Sequence, residues 1–460
     1  MNLELRLNKR LADYKSETQK MSKRTSPLLV FLAAFSLAAA VISFNHSFNA
    51  GAAQRAAVAS SASRNASIVA TTAAILKDTS EIRELAILRP VKSGAQSRVE
   101  IERMLIKNLD EQTTPAQMHA TELALRKFGL APNDFEYRSF IIKLLTEQVA
   151  GYYDSKTREF YLADWLDLEG QKPVMVHELT HALQDQHFHL RRFEKWPHGD
   201  SDAELAAHAL IEGDATLAMT VYMAQNPLVA LAFTRSLGSS TAMASVQFNQ
   251  APRALRESLV FPYGAGTEWA TQLYKRGGWS LISKAFTQLP LSSEQIIHPE
   301  KYFSYERPVK VVLPDLDNYL GAGWKEIDSD VNGEWSYYLI LDQFLNLPSE
   351  SRRAAAGWAG DRFAIYEDAK RGQVMLTHVS AWDSENDARE FFDAYVKRTA
   401  KRYPEATLMA DNQAAGPNTF LRWQTPEGRV AIELRGLRVV VIEGIPEGAD
   451  EKGLLKSLWG

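Results

Sequence analysis

Five residues constrain this chain more than any others: His177-Glu178-Leu179-Thr180-His181, set in an apolar segment with a helical pattern. A helix advances about 100° per residue, so positions i and i+4 lie roughly 40° apart on one face. His177 and His181 can therefore aim both imidazoles at one point, as two nitrogen ligands of a tetrahedral zinc site. Glu178 points to the neighbouring part of the surface, where a carboxylate can take a proton from a metal-activated water. Pro173 suits the first turn of such a helix, and Val174, Met175, Val176, Leu179, Ala182 and Leu183 make it apolar enough to be buried. Two histidines and a glutamate buried there are costly unless something pairs with them.

A site of this kind needs a third protein ligand and an open position. Glu212 is the leading candidate. Residues 201–226 read as one helix, capped by Ser201 or Asp202 and followed by Pro227. Leu205, Ala209, Glu212, Thr216 and Met219 share one face of it, and a carboxylate in a mostly apolar stripe wants a cation. Gly213 costs about 1 kcal/mol inside a helix relative to alanine. It points to a close approach between this helix and the one bearing His177. Asp214 is then placed to accept a hydrogen bond from the far nitrogen of a ligating histidine. His208, one turn before Glu212, is the rival: a third ligand, an outer partner, or a histidine satisfied by a backbone carbonyl. His187 and His189 read as loop residues, because the glycine required by the three-histidine zinc pattern is missing after His181.

On these residues the chain resembles the gluzincin type of zinc metallopeptidase, in which a glutamate from a later helix completes the pair from His-Glu-x-x-His. The resemblance rests on His177, Glu178, His181, Glu212 and the Glu-Gly-Asp-Ala run that begins at Glu212, and covers roughly residues 148–226. The rest looks like a poorly characterised group of bacterial predicted peptidases. The resemblance implies a mainly helical zincin-like domain, Zn2+ as cofactor, Glu178 as general base, and a peptide or protein substrate held extended. The interval from His181 to Glu212 is longer than in the best-known members, which places an excursion at about residues 191–199. Residues 147–154 and 158–163 read as two strands joined by a polar turn. The second is the candidate substrate edge, with Arg158, Phe160 and Leu162; an ordinary hairpin packed on the core is the alternative. Tyr263 and His298 are candidate donors to the oxyanion formed when water attacks a peptide carbonyl, against plain core packing and a plain helix end.

At 460 residues the chain has room for two or three domains. A net charge of −4, with no long basic run outside the N-terminus, argues against nucleic acid as a partner. The absence of cysteine excludes disulfides and thiolate metal sites. Lys20, Lys23 and Arg24 precede an uncharged apolar run at 27–44, which reads as a signal peptide or a membrane anchor. With Met21 as the start it is a compact signal peptide, with Ala50-Gly51-Ala52 as a cleavage site; with Met1 it is equally an uncleaved anchor. Either way the bulk of the chain is expected outside the cytoplasm, periplasmic or held to the inner membrane. Oligomeric state is not legible.

The expected fold class is α+β, in four parts. Residues 1–50 are the basic N-terminus and signal or anchor, and 51–74 an Ala/Ser-rich linker. Residues 75–327 are the zincin-like domain with its edge hairpin, and 328–460 a C-terminal α+β domain. Helices are expected through 75–145, and again through 230–290 with breaks at 261–266 and 277–279. In the last part, 333–345 and 384–402 read as helices, and 362–366, 373–380, 420–423, 429–434 and 437–443 as strands, with a turn at 356–361. The functional expectation is an exported zinc metallopeptidase. Its rival is a non-enzymatic envelope protein that binds metal or a partner.

Overall fold

The computed structural model describes residues 50–165, 167–193, 196, 199–241, 246–409 and 418–460. The apolar run at 27–44 lies outside the described residues. Among these, no single helix is long and apolar enough to cross a membrane.

The N-terminal half begins with a long helix, α1 (Ala50–Arg83), followed by β1 (Lys92–Gln96), α2 (Arg98–Gln112), α3 (Pro115–Lys127) and α4 (Tyr137–Gln148). Then come β2 (Gly151–Asp154), β3 (Glu159–Ala163), the motif helix α5 (Leu168–Phe188), α6 (Ser201–Gln225), α7 (Pro227–Thr241), α8 (Val246–Gln250) and α9 (Arg253–Ala285). Short helices α10 (Ser293–Ile297), α11 (Pro299–Ser304) and α12 (Asp317–Leu320) lead into the second half. That half contains β4 (Lys325–Asp330), α13 (Gly333–Leu345), α14 (Pro348–Ala355), β5 (Trp358–Asp368), β6 (Gln373–Trp382) and α15 (Glu385–Arg402). It closes with β7 (Thr407–Leu408), β8 (Asn418–Thr425), β9 (Gly428–Arg435), β10 (Arg438–Ile445) and α16 (Glu451–Trp459).

The class is α+β. The expected linker at 51–74 is instead helix, part of α1. Alanine is the strongest helix former, so an Ala-rich stretch is cheap to order once one face has something to pack on. That face is Ile68, Thr72, Ile75, Leu76, Thr79 and Arg83, all buried at helical spacing. Thr72 and Thr79 satisfy their hydroxyls on the carbonyls of Ile68 and Ile75. The core beneath this face includes Phe160, Leu162, Val176, Leu179, Leu183 and Met219, drawn from β3, α5 and α6.

A three-stranded sheet flanks this core in the order β1-β3-β2, with β1 parallel and β2 antiparallel to β3. The expected edge strand at 158–163 is therefore the central strand. Arg158 sits in the hairpin turn with φ 61°, while Phe160 and Leu162 are completely buried. One side of β3 is covered by β1, whose sequence Lys-Ser-Gly-Ala-Gln has almost no strand propensity and gives no warning of itself.

The C-terminal half is a seven-stranded sheet ordered β4-β5-β6-β10-β9-β8-β7, antiparallel throughout. The helices at 333–345 and 384–402 form as expected, the second capped by Ser384. The expected turn at 356–361 holds only to Gly357, because β5 starts at Trp358. One hydrophobic core runs from α6 and α9 through α13 to β5, β6 and α15, so the two halves share an interior. Arg398 and Arg402 of α15 reinforce the junction by donating to the carbonyls of Phe128, Lys127 and Arg126 at the end of α3. The last carbonyls of a helix lack an intrahelical donor, and of these three Arg126 O also accepts from Gly129 N–H just beyond the helix end.

Candidate metal centre

Asp167 caps α5 by accepting from Gly170 N–H, so the helix starts at Leu168 and Pro173 lies inside it rather than in its first turn. From Val174 to Gln186 every residue is buried. On this helix His177 Nε2 and His181 Nε2 come within 3.1 Å of each other. Glu212 Oε2, projecting from α6, lies 3.0 Å from the first and 3.4 Å from the second. Ligand atoms of a tetrahedral zinc with bonds of about 2.1 Å stand roughly 3.4 Å apart, so the donor types and spacings suit a small divalent cation.

Burial favours a neutral Glu212, but the His181 and His177 imidazoles override it and hold the carboxyl well below the usual range. Burial likewise disfavours protonated His181, yet the Glu212 carboxylate pushes it up to about 9. The group thus holds its negative charge only by capturing a positive one, from a proton or from a metal. Glu178 is raised above its ordinary value, chiefly by burial, although both imidazoles pull it down. Its Oε2 accepts from Tyr153 N–H of β2 at 2.9 Å, which aims the carboxylate along the sheet edge.

Gly213 does make a close approach, but to α9 rather than to the motif helix. A Cβ on Gly213 would lie 2.2 Å from the Gly266 carbonyl oxygen, and one on Gly266 equally near the Ala209 oxygen. The expected helix break at 261–266 is absent; Pro262, Gly264 and Gly266 lie within α9, and Gly266 serves the crossing rather than a turn. The break at 277–279 is real, with non-helical backbone at Gly277 and Gly278. The crossing sets Tyr263, one turn before Gly266, against the ligand group. Its ring stacks on His177 with centroids 6.0 Å apart and planes at 23°, and its hydroxyl bonds Glu212. Burial and the Glu212 and Glu178 carboxylates hold this phenol well above its ordinary pKa, so it remains a proton donor.

Asp214 does not touch His177 or His181. His181 Nδ1 is 2.8 Å from Gln184 Oε1, and Gln184 Nε2 donates to Asp214 Oδ2 at 2.9 Å and to the Ile211 carbonyl at 3.0 Å. Arg83 Nε donates to Asp214 Oδ1 at 2.5 Å. Gln184 lies three residues after His181 on the same helical face and was legible by spacing; Arg83 gave no sequence signal. His177 Nδ1, by contrast, is buried with no hydrogen-bond partner.

His208 is exposed on the wall of the adjoining cleft and does not join the ligand group. His298 is engaged elsewhere: its Nε2 bonds Glu334 at 3.0 Å and its Nδ1 lies 3.8 Å from Glu300 Oε1. His187 belongs to the last turn of α5 and bonds the Ala86 carbonyl, while His189 caps that helix in the left-handed region. The cleft has a volume of about 490 Å³ and is bordered by Tyr153, His181, Phe193, Ile211 and Glu212. A second acidic trio, Glu294, Glu306 and Asp383, surrounds Lys301 Nζ at 2.7, 2.9 and 2.5 Å, so an ammonium already stands where a cation would.

Residues 319–454 match a family described as a domain of unknown function, DUF8575. No curated protein and no solved structure matches the chain. The matched segment spans the C-terminal sheet and excludes His177, His181 and Glu212.

Proposed function

We propose that this protein is a zinc-dependent peptidase of the gluzincin type, acting on peptides or proteins outside the cytoplasm. The observation that carries the reading is the convergence of His177 Nε2, His181 Nε2 and Glu212 Oε2 within 3.4 Å of one another, beside a buried glutamate. These three residues would hold the ion, in a zincin-like arrangement of α5, α6 and the small sheet. When bound there, Zn2+ supplies an electrophile that lowers the pKa of a water toward neutrality.

The chain's own groups divide the remaining work. Glu178 receives the proton of the attacking water and passes it to the leaving amine; its raised pKa suits a group that must both take and give. Tyr153 N–H fixes one of its oxygens and leaves the other for that transfer. The Tyr263 hydroxyl donates to the oxyanion that develops on the substrate carbonyl. The edge that receives an extended peptide is β2 rather than β3. Ala150 O accepts from Ala163 N–H, so the alternation of the ladder turns the main chain of Gly151 and Tyr153 away from β3; Tyr153 N–H is taken by Glu178, and the peptide pairs with the remaining main-chain groups of these two residues. The extracytoplasmic placement is supported by the basic residues before the apolar run at 27–44.

Digestion of a proteome-derived peptide library by the zinc-loaded protein tests this. Cleavage by the wild type and none by Glu178→Gln, with zinc retained in both, is the expected result. Zinc without cleavage by either would favour a non-enzymatic metal-binding protein.

A further inference from the structure

The hydrogen-bond chain behind His181 ends on the helix that leads in from the N-terminus. We propose that Arg83 and Gln184 are positioning residues for the metal centre, acting through Asp214 to fix the tautomer and aim of His181. This rests on the reading of His177, His181 and Glu212 as a zinc site.

The argument starts from Gln184. Its amide nitrogen faces two acceptors that cannot donate, the Ile211 carbonyl and the Asp214 carboxylate. The amide therefore cannot flip, and Oε1 must face His181 Nδ1 at 2.8 Å. An acceptor there requires the proton of a neutral imidazole to sit on Nδ1. Nε2 then carries the lone pair that points at Glu212 Oε2 and His177 Nε2, as a metal ligand must.

Asp214 in turn is completely buried, and a buried carboxylate keeps its charge only beside a cation. Arg83, also completely buried, supplies it. The guanidinium is itself held in place. Nη1 and Nη2 each donate to Ser283 Oγ at 3.1 Å, and its carbon lies 4.9 Å from the centre of the Trp279 ring. The backbone break at Gly277 and Gly278 immediately precedes Trp279. Three elements far apart in sequence, the end of α1, the second half of α9 and the middle of α6, thus meet on one ion pair whose other side orients a ligand. His177 Nδ1 has no such hydrogen-bond partner, and the ring is placed by its stack on Tyr263 instead.

Zinc affinity, measured by competition with a chromophoric chelator, tests this on the full chain. Wild type should bind one zinc; if it binds none, the zinc reading itself fails. Gln184→Leu should weaken binding by about 10- to 100-fold. Arg83→Met combined with Asp214→Asn removes the ion pair without leaving a lone buried charge, and should weaken it by about tenfold. Arg83→Lys, which keeps the charge but loses the planar fork, should fall between. Ile432→Ala, at a fully buried position of β9 that contributes nothing to the ligand group, should lower the melting temperature yet leave zinc affinity within twofold. Nitrogen NMR of the histidine rings should show protonated Nδ1 at His181 in the wild type and mixed tautomers in Gln184→Leu. If the Arg83 variants fold and bind zinc within twofold of wild type, or if Ile432→Ala weakens binding as much as they do, the positioning role is overturned.

Discussion

Gly213 of α6 and Gly266 of α9 meet backbone to backbone, with room for no side chain at either position. Glu212 precedes one glycine and Tyr263 lies one turn before the other, so this contact fixes the distance between a candidate ligand and a candidate oxyanion donor. Gly213→Ala should force the helices apart and cost about 1–3 kcal/mol through overpacking. Thermal melting should report the loss, and zinc affinity should fall with it. A variant with unchanged stability and affinity would show that the crossing does not govern the site.

Tyr263→Phe removes one hydroxyl and leaves the stack on His177. Peptide cleavage should lose about 10²–10³ in kcat, the usual effect of deleting an oxyanion donor, with KM little changed. Because the phenol is held well above its ordinary pKa, the wild-type rate should show no loss attributable to its ionisation up to pH 9. Equal losses in kcat and in zinc content would instead assign Tyr263 to holding Glu212.

Much of the C-terminal half was legible because its strands obey short-range rules. Val439 to Ile442 is a continuous apolar run, Gly436 and Leu437 turn the chain from β9 into β10 one residue later than an Arg435-Gly436 turn would, and Ser384 caps an amphipathic helix. The motif helix and the approach of Glu212 were legible because spacing on a helix fixes direction. What escaped the reading was set by distant contacts. β1 is a strand only because β3 lies beside it, α1 is ordered by the core under Ile68 and Ile75, and Gly266 looks like a turn residue until α6 is placed against it. Spacing on the helix sets Gln184 beside His181, but that Asp214 lies on the far side of that amide depends on how α6 crosses α5.

The junction of the two halves should be acid-sensitive. Burial raises the Glu443 carboxyl, but Arg398 and Arg402 more than reverse this and bring it down to about 2. A depressed folded-state pKa contributes stability that is present above the unfolded value near 4.5 and is lost as pH falls through the folded one. Unfolding free energy should therefore drop between about pH 4.5 and 2. Glu443→Gln should flatten that drop, and should cost about 3 kcal/mol at neutral pH by leaving the buried Arg398 without its charge partner. Equal pH slopes in variant and wild type would show that the pair does not control acid stability.

Chelation should unload the site without unfolding the chain, because the core around α5 and α6 is apolar and continuous. The melting temperature should fall by several degrees on chelation and return on adding zinc. No shift in either direction would mean that no metal is bound in solution.

Anomalous scattering at the zinc edge, from crystals grown with zinc, tests the central claim most directly. The account predicts one strong peak at about 2.0–2.2 Å from His177 Nε2, His181 Nε2 and a Glu212 carboxylate oxygen. A peak elsewhere, or density there without zinc scattering, would contradict it.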